Sequence, residues 1–311
     1  MQWKILVTCP PMLRMIDSFR SLFAEAGAEI TAPDVVQTLS VEELKELVPL
    51  HHGWIIGDDP ATREVFSAGK AGLLKAAVKW GIGVDNVDFA ACKDLGIPII
   101  NTPNMFGGEV ADIAMGYVIA LARETFLIDR GVRAGEWPKP RGISLAGKTV
   151  ALVGFGDIGR NTARRLLAAD MHVIAYDPMA PRASELDQVM RATWPDRLGE
   201  ADFIVLNCAL TPSSHHMLNA DTLARAKPGV RVVNVGRGPL IDEPALIAAL
   251  GSGVVHSAAL DVFEVEPLPP DSPLRTHARC VFGSHNASNT ADAVVRTSEL
   301  AIARLMGFLN P

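Results

Sequence analysis

Arg237, Glu266 and His285 each follow a short apolar run in the second half of the chain. Together they can do a definite kind of chemistry. The planar fork of an arginine suits a carboxylate and the carbonyl oxygen beside it. An imidazole moves a proton to or from an oxygen, and a carboxylate beside it favours the imidazolium and orients the ring. Arg237 sits between glycines in Val235-Gly236-Arg237-Gly238-Pro239, after the run Arg231-Val232-Val233-Asn234. Taken alone, it reads more readily as a loop arginine in a surface ion pair. Glu266 is followed by Pro267 in Asp261-Val262-Phe263-Glu264-Val265-Glu266-Pro267, where Asp261 ends a strand and Glu264 reads as a solvated acid. His285 comes directly after Val281-Phe282-Gly283-Ser284. His51, His52, His215 and His216 lack such company and read as exposed.

The element that gives these groups a context lies upstream. Val150-Ala151-Leu152-Val153 is an apolar strand, Gly154-Phe155-Gly156-Asp157-Ile158-Gly159 a turn, and the residues from Arg160 to Ala169 are helical in pattern. Strand, glycine turn and helix in that order form a dinucleotide-binding motif. Gly154 makes the turn, Gly156 lets the backbone approach a pyrophosphate, and Gly159 lets helix and strand pack closely. The amides of Asp157 and Ile158 open the helix and face the phosphate with its positive dipole end. The next strand ends at Asp177, 177 − 156 = 21 residues beyond the central glycine. A carboxylate there accepts from ribose hydroxyls and repels an extra phosphate, so NAD is expected rather than NADP. Arg182, five residues on, is the nearest arginine to that carboxylate. Asp261 could receive the carboxamide of the nicotinamide. Joined to the trio, the turn marks a site for hydride transfer.

Positioning these residues takes a series of parallel strands. Apolar, β-branched runs alternate with amphipathic stretches, the pattern of α/β architecture. Strands are expected at 4–8, 53–56, 77–79, 99–101, 149–153, 172–176, 203–206, 231–234, 257–260 and 280–282. Helices are expected at 42–47 and 157–169, in one long apolar span from Glu109 to about Arg130, and from about Ala291 to Leu309. The glycine turn begins near the middle of the chain, so a first α/β domain ends near Pro98–Pro103 and a second starts there.

With 311 residues, 49% hydrophobic and 21% charged, the chain can bury two cores. Its net charge of −6 offers no surface for nucleic acid or anionic membranes. Cys9, Cys92, Cys208 and Cys280 are scattered and read as buried thiols, not as a disulfide framework or zinc site. No His-x-x-x-His or comparable spacing occurs near the trio, so no metal is expected. The N-terminus turns at Pro10-Pro11 without a signal-peptide pattern, and the most apolar helical stretch, Val110 to Ala122, contains Asp112. A soluble cytoplasmic protein is expected.

At this point the chain resembles the D-2-hydroxyacid dehydrogenase family, in its phosphoglycerate dehydrogenase-like branch. The resemblance runs from about Lys79 to Asn289. It is carried by Lys79-Trp80-Gly81-Ile82-Gly83-Val84-Asp85-Asn86-Val87-Asp88, Asn101-Thr102-Pro103-Asn104, Leu145-Ala146-Gly147-Lys148-Thr149, the glycine turn, Asn234 to Gly238 and Asp261 to Pro267. It implies two Rossmann-like domains with parallel sheets, one flavodoxin-like and one dinucleotide-binding, and an interdomain active-site cleft. Residues 1–99 with 288–311 would bind substrate, and 100–287 would bind NAD. Arg237, Glu266 and His285 match the family's catalytic residues. Gly81, Ile82 and Gly83 match its substrate-carboxylate loop, and Cys208 and Val235 fall among its cofactor contacts. A homodimer joined through the cofactor lobes is implied, using the helix near 110–130 and Gly135-Glu136-Trp137.

Three departures qualify the resemblance. Ser284 precedes the histidine where Thr-Pro is usual, and Asn207-Cys208-Ala209 replaces a common histidine–proline segment. Lys79 stands where phosphoglycerate enzymes commonly carry arginine, though a lysine still meets a phosphate as a point charge. The expected substrates are small anionic 2-hydroxy and 2-keto acids. 3-Phosphoglycerate with 3-phosphohydroxypyruvate is the first choice, and hydroxypyruvate or glyoxylate the alternative. On the first choice, Lys79→Ala harms only the phosphorylated substrate. A reading of another class is a non-catalytic NAD-sensing protein. With the chain ending at Pro311, no C-terminal regulatory domain is expected. Trp80, Met105 and Phe106 are expected to pack rather than touch substrate.

Overall fold

Runs such as Phe203-Ile204-Val205-Leu206 are apolar on both faces, so they are stable only in a parallel sheet covered by helices on both sides. A computed structural model, describing residues 2–180 and 186–310, shows two such sheets. The chain divides into two compact units, residues 1–105 with 289–311 and residues 106–288.

The first unit holds β1 (Trp3–Val7), β2 (Ala28–Thr31), β3 (Gly53–Ile56), β4 (Ala76–Lys79) and β5 (Ile99–Asn101). They lie in the order β2-β1-β3-β4-β5, all parallel. The Ala291–Leu309 helix returns to this unit and covers β3 and β4. Trp80 donates its indole N–H to Ser298 Oγ of that helix at 3.1 Å.

The second unit holds β6 (Thr149–Val153), β7 (His172–Tyr176), β8 (Met190–Arg191), β9 (Phe203–Leu206), β10 (Val230–Asn234), β11 (Val255–Leu260) and β12 (Cys280–Phe282). Their order is β12-β11-β10-β9-β6-β7-β8, again all parallel. The chain reverses direction across the sheet between β6 and β9, and this topological switch point is where open α/β sheets bind ligands.

The ten expected strands are present, with bounds shifted by at most two residues. Two further strands lie outside that expectation. β2 carries Glu29 and Thr31 on an exposed edge, and β8 is two residues long, so neither has an apolar pattern to reveal it. The long helix expected over 109–130 is two helices, Gly107–Arg123 and Thr125–Arg133, broken at Glu124 in the left-handed region (φ 53°). The buried Arg231 donates to the Leu121 carbonyl at 3.2 Å, satisfying the end of the first helix and supporting the break.

His51 and His52 are buried, contrary to expectation. The His51 ring bonds the Leu47 carbonyl (2.8 Å) and Thr31 Oγ1 (2.7 Å), and His52 Nδ1 accepts the Lys4 amide (3.0 Å). Burial holds both rings below the usual histidine range. His256 shows the same effect more strongly. Its Nε2 lies 3.6 Å from Glu124, which favours the charged ring. Burial outweighs that pairing, Arg231 and Arg279 add to burial, and the ring is driven down to about 4. Between that value and the ordinary one, the unfolded chain binds more protons than the folded chain, so stability rises with pH across this window. The contribution of His256 should leave stability undiminished above about pH 6.5 and reduce it progressively towards pH 4. Urea midpoints measured near pH 7 and pH 5 should separate less in His256→Gln than in the parent; an equal separation contradicts this origin.

Candidate active site at the carboxyl edge of the second sheet

Neighbouring strands β6, β9, β10, β11 and β12 end on one edge of the sheet, and each runs directly into a segment singled out in the sequence. These are the glycine turn, Asn207-Cys208, Val235 to Gly238, Asp261 to Glu266, and Gly283 to Ala287. Parallel strand order alone therefore gathers residues spread over more than a hundred positions.

At the first of these ends, Gly154 takes φ 90°, and a Cβ there would stand 2.7 Å from the backbone N and Cα of Cys208. A Cβ on Gly159 would collide with the Gly154 carbonyl oxygen, so only glycine lets this helix start so close to the strand. Among the described residues, no atom lies within 4 Å of a Cβ built on Gly156, which leaves open backbone for a phosphate. Among the described residues, the Asp157–Ala168 helix has no side-chain cap at Gly156. The Asp157 carboxylate itself packs against Gly107, so the contribution of Asp157 to the turn is its amide.

Asp177 is built into the turn. One carboxylate oxygen accepts the Phe155 amide at 2.7 Å; the other accepts Met179 and Ala180 at 2.8 and 3.1 Å. Three of its roughly four lone-pair positions are used, leaving capacity for a hydroxyl. Arg182 lies outside the described residues. Asn207 donates to Thr162 Oγ1 at 3.1 Å, while its own Oδ1 is buried without a partner among the described residues. An open glycine backbone, an uncapped helix start, an anchored carboxylate and a buried unanswered acceptor together fit a dinucleotide. Cys208 is a half-buried thiol pushed up to about 11 by burial, which removes it as a nucleophile at neutral pH. Val235 is buried, with its amide committed to the Leu206 carbonyl at 3.1 Å.

The trio occupies the next three ends. His285 Nδ1 lies 2.8 Å from Glu266 Oε2. A carboxylate only accepts, so the ring donates from Nδ1. Glu266 Oε1 accepts the Phe263 amide at 3.0 Å, closing the loop on itself. Asp261, 2% exposed, takes the Asn286 and Ala287 amides on its carboxylate (3.2 and 2.8 Å) and the His285 amide on its carbonyl (2.6 Å). It thereby holds His285 in the left-handed region at φ 56°. Arg237 is half-buried and donates to the Gly236 carbonyl at 2.9 Å. Asn234 braces its loop, donating to the Arg237 carbonyl and accepting the Gly236 amide. Gly238 lies so close to the Phe263 carbonyl that a Cβ would overlap it, which brings the arginine loop against the glutamate loop.

Some residues depart from expectation. Glu264 is not solvated, and His216 is half-buried rather than exposed: His216 Nε2 bonds Glu264 Oε1. Glu243 also reaches this loop, and no local motif announces it. Tyr117 lies beside Asp261, and burial together with that charge keeps its phenol neutral.

In the first unit the loop after β4 is shaped by Thr102. The Gly81 amide donates to Thr102 Oγ1 at 2.7 Å. Lys79 is 3% exposed; its ammonium holds Asp58 at 3.2 Å and the Trp80 carbonyl at 2.9 Å. Any phosphate reaching Lys79 competes with Asp58. Trp80 and Phe106 are buried, and Met105 is half-buried.

Residues 115–287 match the family described as D-isomer specific 2-hydroxyacid dehydrogenase, NAD binding domain. The chain belongs to that family. It is 39% identical over 262 residues to the hydroxypyruvate reductase of Thermotoga maritima, covering 82% of this chain and 84% of that one. It is 38% identical over 285 residues to the chloroplastic D-3-phosphoglycerate dehydrogenase 3 of Arabidopsis thaliana, covering 89% of this chain and 48% of that one. The chain thus spans about half the length of that relative. The crystal structure of the TT0316 protein from Thermus thermophilus superposes with a TM-score of 0.87 at 31% identity, covering 98% of this chain and 96% of that one. The family's cofactor is NAD, in agreement with the fit of the turn.

The packing at the turn makes a direct prediction. Gly159→Ala should lose about 3 kcal/mol of stability through overpacking and most of its affinity for NADH, read by denaturation and by fluorescence titration. Retention of both contradicts the role given to this contact.

Proposed function

We propose that the chain is an NAD-dependent oxidoreductase that interconverts a small D-2-hydroxy acid and its 2-keto acid. The observation that carries this reading is the 2.8 Å His285–Glu266 pair on the same sheet edge as the glycine turn. Bound NAD supplies the hydride acceptor, and NADH the donor. The residues of the chain do the rest. His285, oriented through Nδ1 by Glu266, holds or moves the proton of the substrate oxygen at Nε2. The Arg237 guanidinium grips the carboxylate and neighbouring oxygen of the acid. The Ile82 and Gly83 amides serve a carboxylate in the first unit, which we assign to substrate as we assign the second to NAD.

The state of Lys79 favours hydroxypyruvate or glyoxylate over a phosphorylated acid, because its charge is already answered by Asp58 and it is almost fully buried. Lys79→Ala is then expected to disturb the loop for every substrate rather than for a phosphorylated one alone. The similarity to a hydroxypyruvate reductase over most of both chains supports the same choice. A homodimer through the second unit belongs to this proposal, supported by Ile113, Ile119, Phe126 and Val132 exposed on its two adjacent helices. So does a cytoplasmic location, supported by four free thiols.

Oxidation of NADH, followed by its absorbance, should be rapid with hydroxypyruvate or glyoxylate and much slower with NADPH. Preference for 3-phosphohydroxypyruvate overturns the substrate choice. His285→Ala should lower turnover by ~10²–10⁴ while still binding NADH; unchanged turnover removes the mechanism.

A further inference from the structure

The loop that carries Glu266 is not held in place by burial. Phe263 and Leu268 are buried at its ends, but Val265 is 59% exposed and Pro267 is exposed. Polar contacts must therefore fix residues 264–267, and two of them converge on Glu264. Its carboxylate bonds His216 Nε2. Its amide donates to Glu243 Oε1 at 2.7 Å.

Both anchors are themselves fixed. His216 sits at φ 49°, donates its amide to the Pro239 carbonyl at 2.8 Å, and accepts Asn219 Nδ2 on its carbonyl at 2.9 Å. Its ring stacks on His215 with centroids 4.0 Å apart. Glu243 opens the Glu243–Ser252 helix, and burial, with the charges of Glu264 and Glu266, holds its carboxyl above the usual range. Gathering three glutamates here is electrostatically unfavourable, so a packing role alone does not explain Glu243.

We propose that His216 and Glu243 are positioning residues for the Glu266–His285 pair, clasping Glu264 at its carboxylate and at its amide so that Glu266 meets the imidazole. The inference rests on that pair being the proton-handling site. Neither anchor touches the His285 ring; each acts through the backbone between Glu264 and Glu266. A small displacement of a reacting group is enough to cost one to two orders of magnitude in rate.

The test compares His216→Ala with His216→Gln, and Glu243→Ala with Glu243→Gln. The Gln amide reaches the position of Nε2 in the first pair and keeps an Oε1 acceptor in the second. Two readouts are needed. One is kcat against the KM for NADH. The other is the downfield Nδ1–H proton resonance of His285 in the protein without cofactor, assigned by its loss in His285→Ala. Each Ala variant should lower kcat by about tenfold or more, leave the KM for NADH within about twofold, and broaden the resonance. Each Gln variant should recover most of both.

Ala variants with the parental kcat and resonance overturn the proposal. So do folded Gln variants no better than their Ala counterparts. Glu264→Ala removes the carboxylate and leaves the amide bonded to Glu243, so it carries the same expectation and decides the matter if an Ala variant at 216 or 243 does not fold. If the parent turns over no 2-keto acid, the oxidoreductase reading falls, while the resonance still decides the clasp.

Discussion

The site depends on the way Asp261 joins the end of β11 to the loop after β12. A carboxylate 2% exposed is costly to desolvate, and two backbone amides from Asn286 and Ala287 offset that cost. The carbonyl of the same residue receives the His285 amide. One buried acid thus sets the backbone of the histidine from one side, and the strand it ends feeds the loop of the glutamate on the other. These bonds set the left-handed φ of His285 and so the place from which its ring meets Glu266.

Around this anchor, each loop of the sheet edge leans on the next. Gly154 abuts Cys208 after β9, and Gly238 abuts Phe263 after β11. The glycine turn and the His285–Glu266 pair are therefore parts of one packed rim. The first unit uses the same principle, a loop at the carboxyl end of a central parallel strand, but its ammonium at Lys79 is spent inside the unit on Asp58 and a carbonyl.

Much of this was legible in the residues. Parallel strands buried on both faces write continuous apolar runs, and all ten runs read as strands are strands. Gly154 reads as the tight turn and Gly159 as the close helix–strand contact, in keeping with a φ of 90° at the first and a Cβ overlap with the Gly154 carbonyl at the second. The signals that failed are those decided by distant partners. Glu264 looks solvated until His216, 48 positions away, is brought against it. His51 and His52 look exposed until Thr31, Leu47 and Lys4 close around them. Glu124 carries no glycine or proline to mark a helix break; the cause is Arg231, 110 positions on from Leu121. β2 and β8 lie on edges, where side chains are not required to be apolar.

The most direct test of the central claim is where the transferred hydrogen goes. NADH carrying deuterium at both hydrogens of nicotinamide C4, incubated with the protein and hydroxypyruvate or glyoxylate, should deliver the label to C2 of the product, with the D configuration where that carbon is stereogenic. Label lost to water, a product of L configuration, or no product from any small 2-keto acid would contradict the assembly of this sheet edge as a site for hydride transfer.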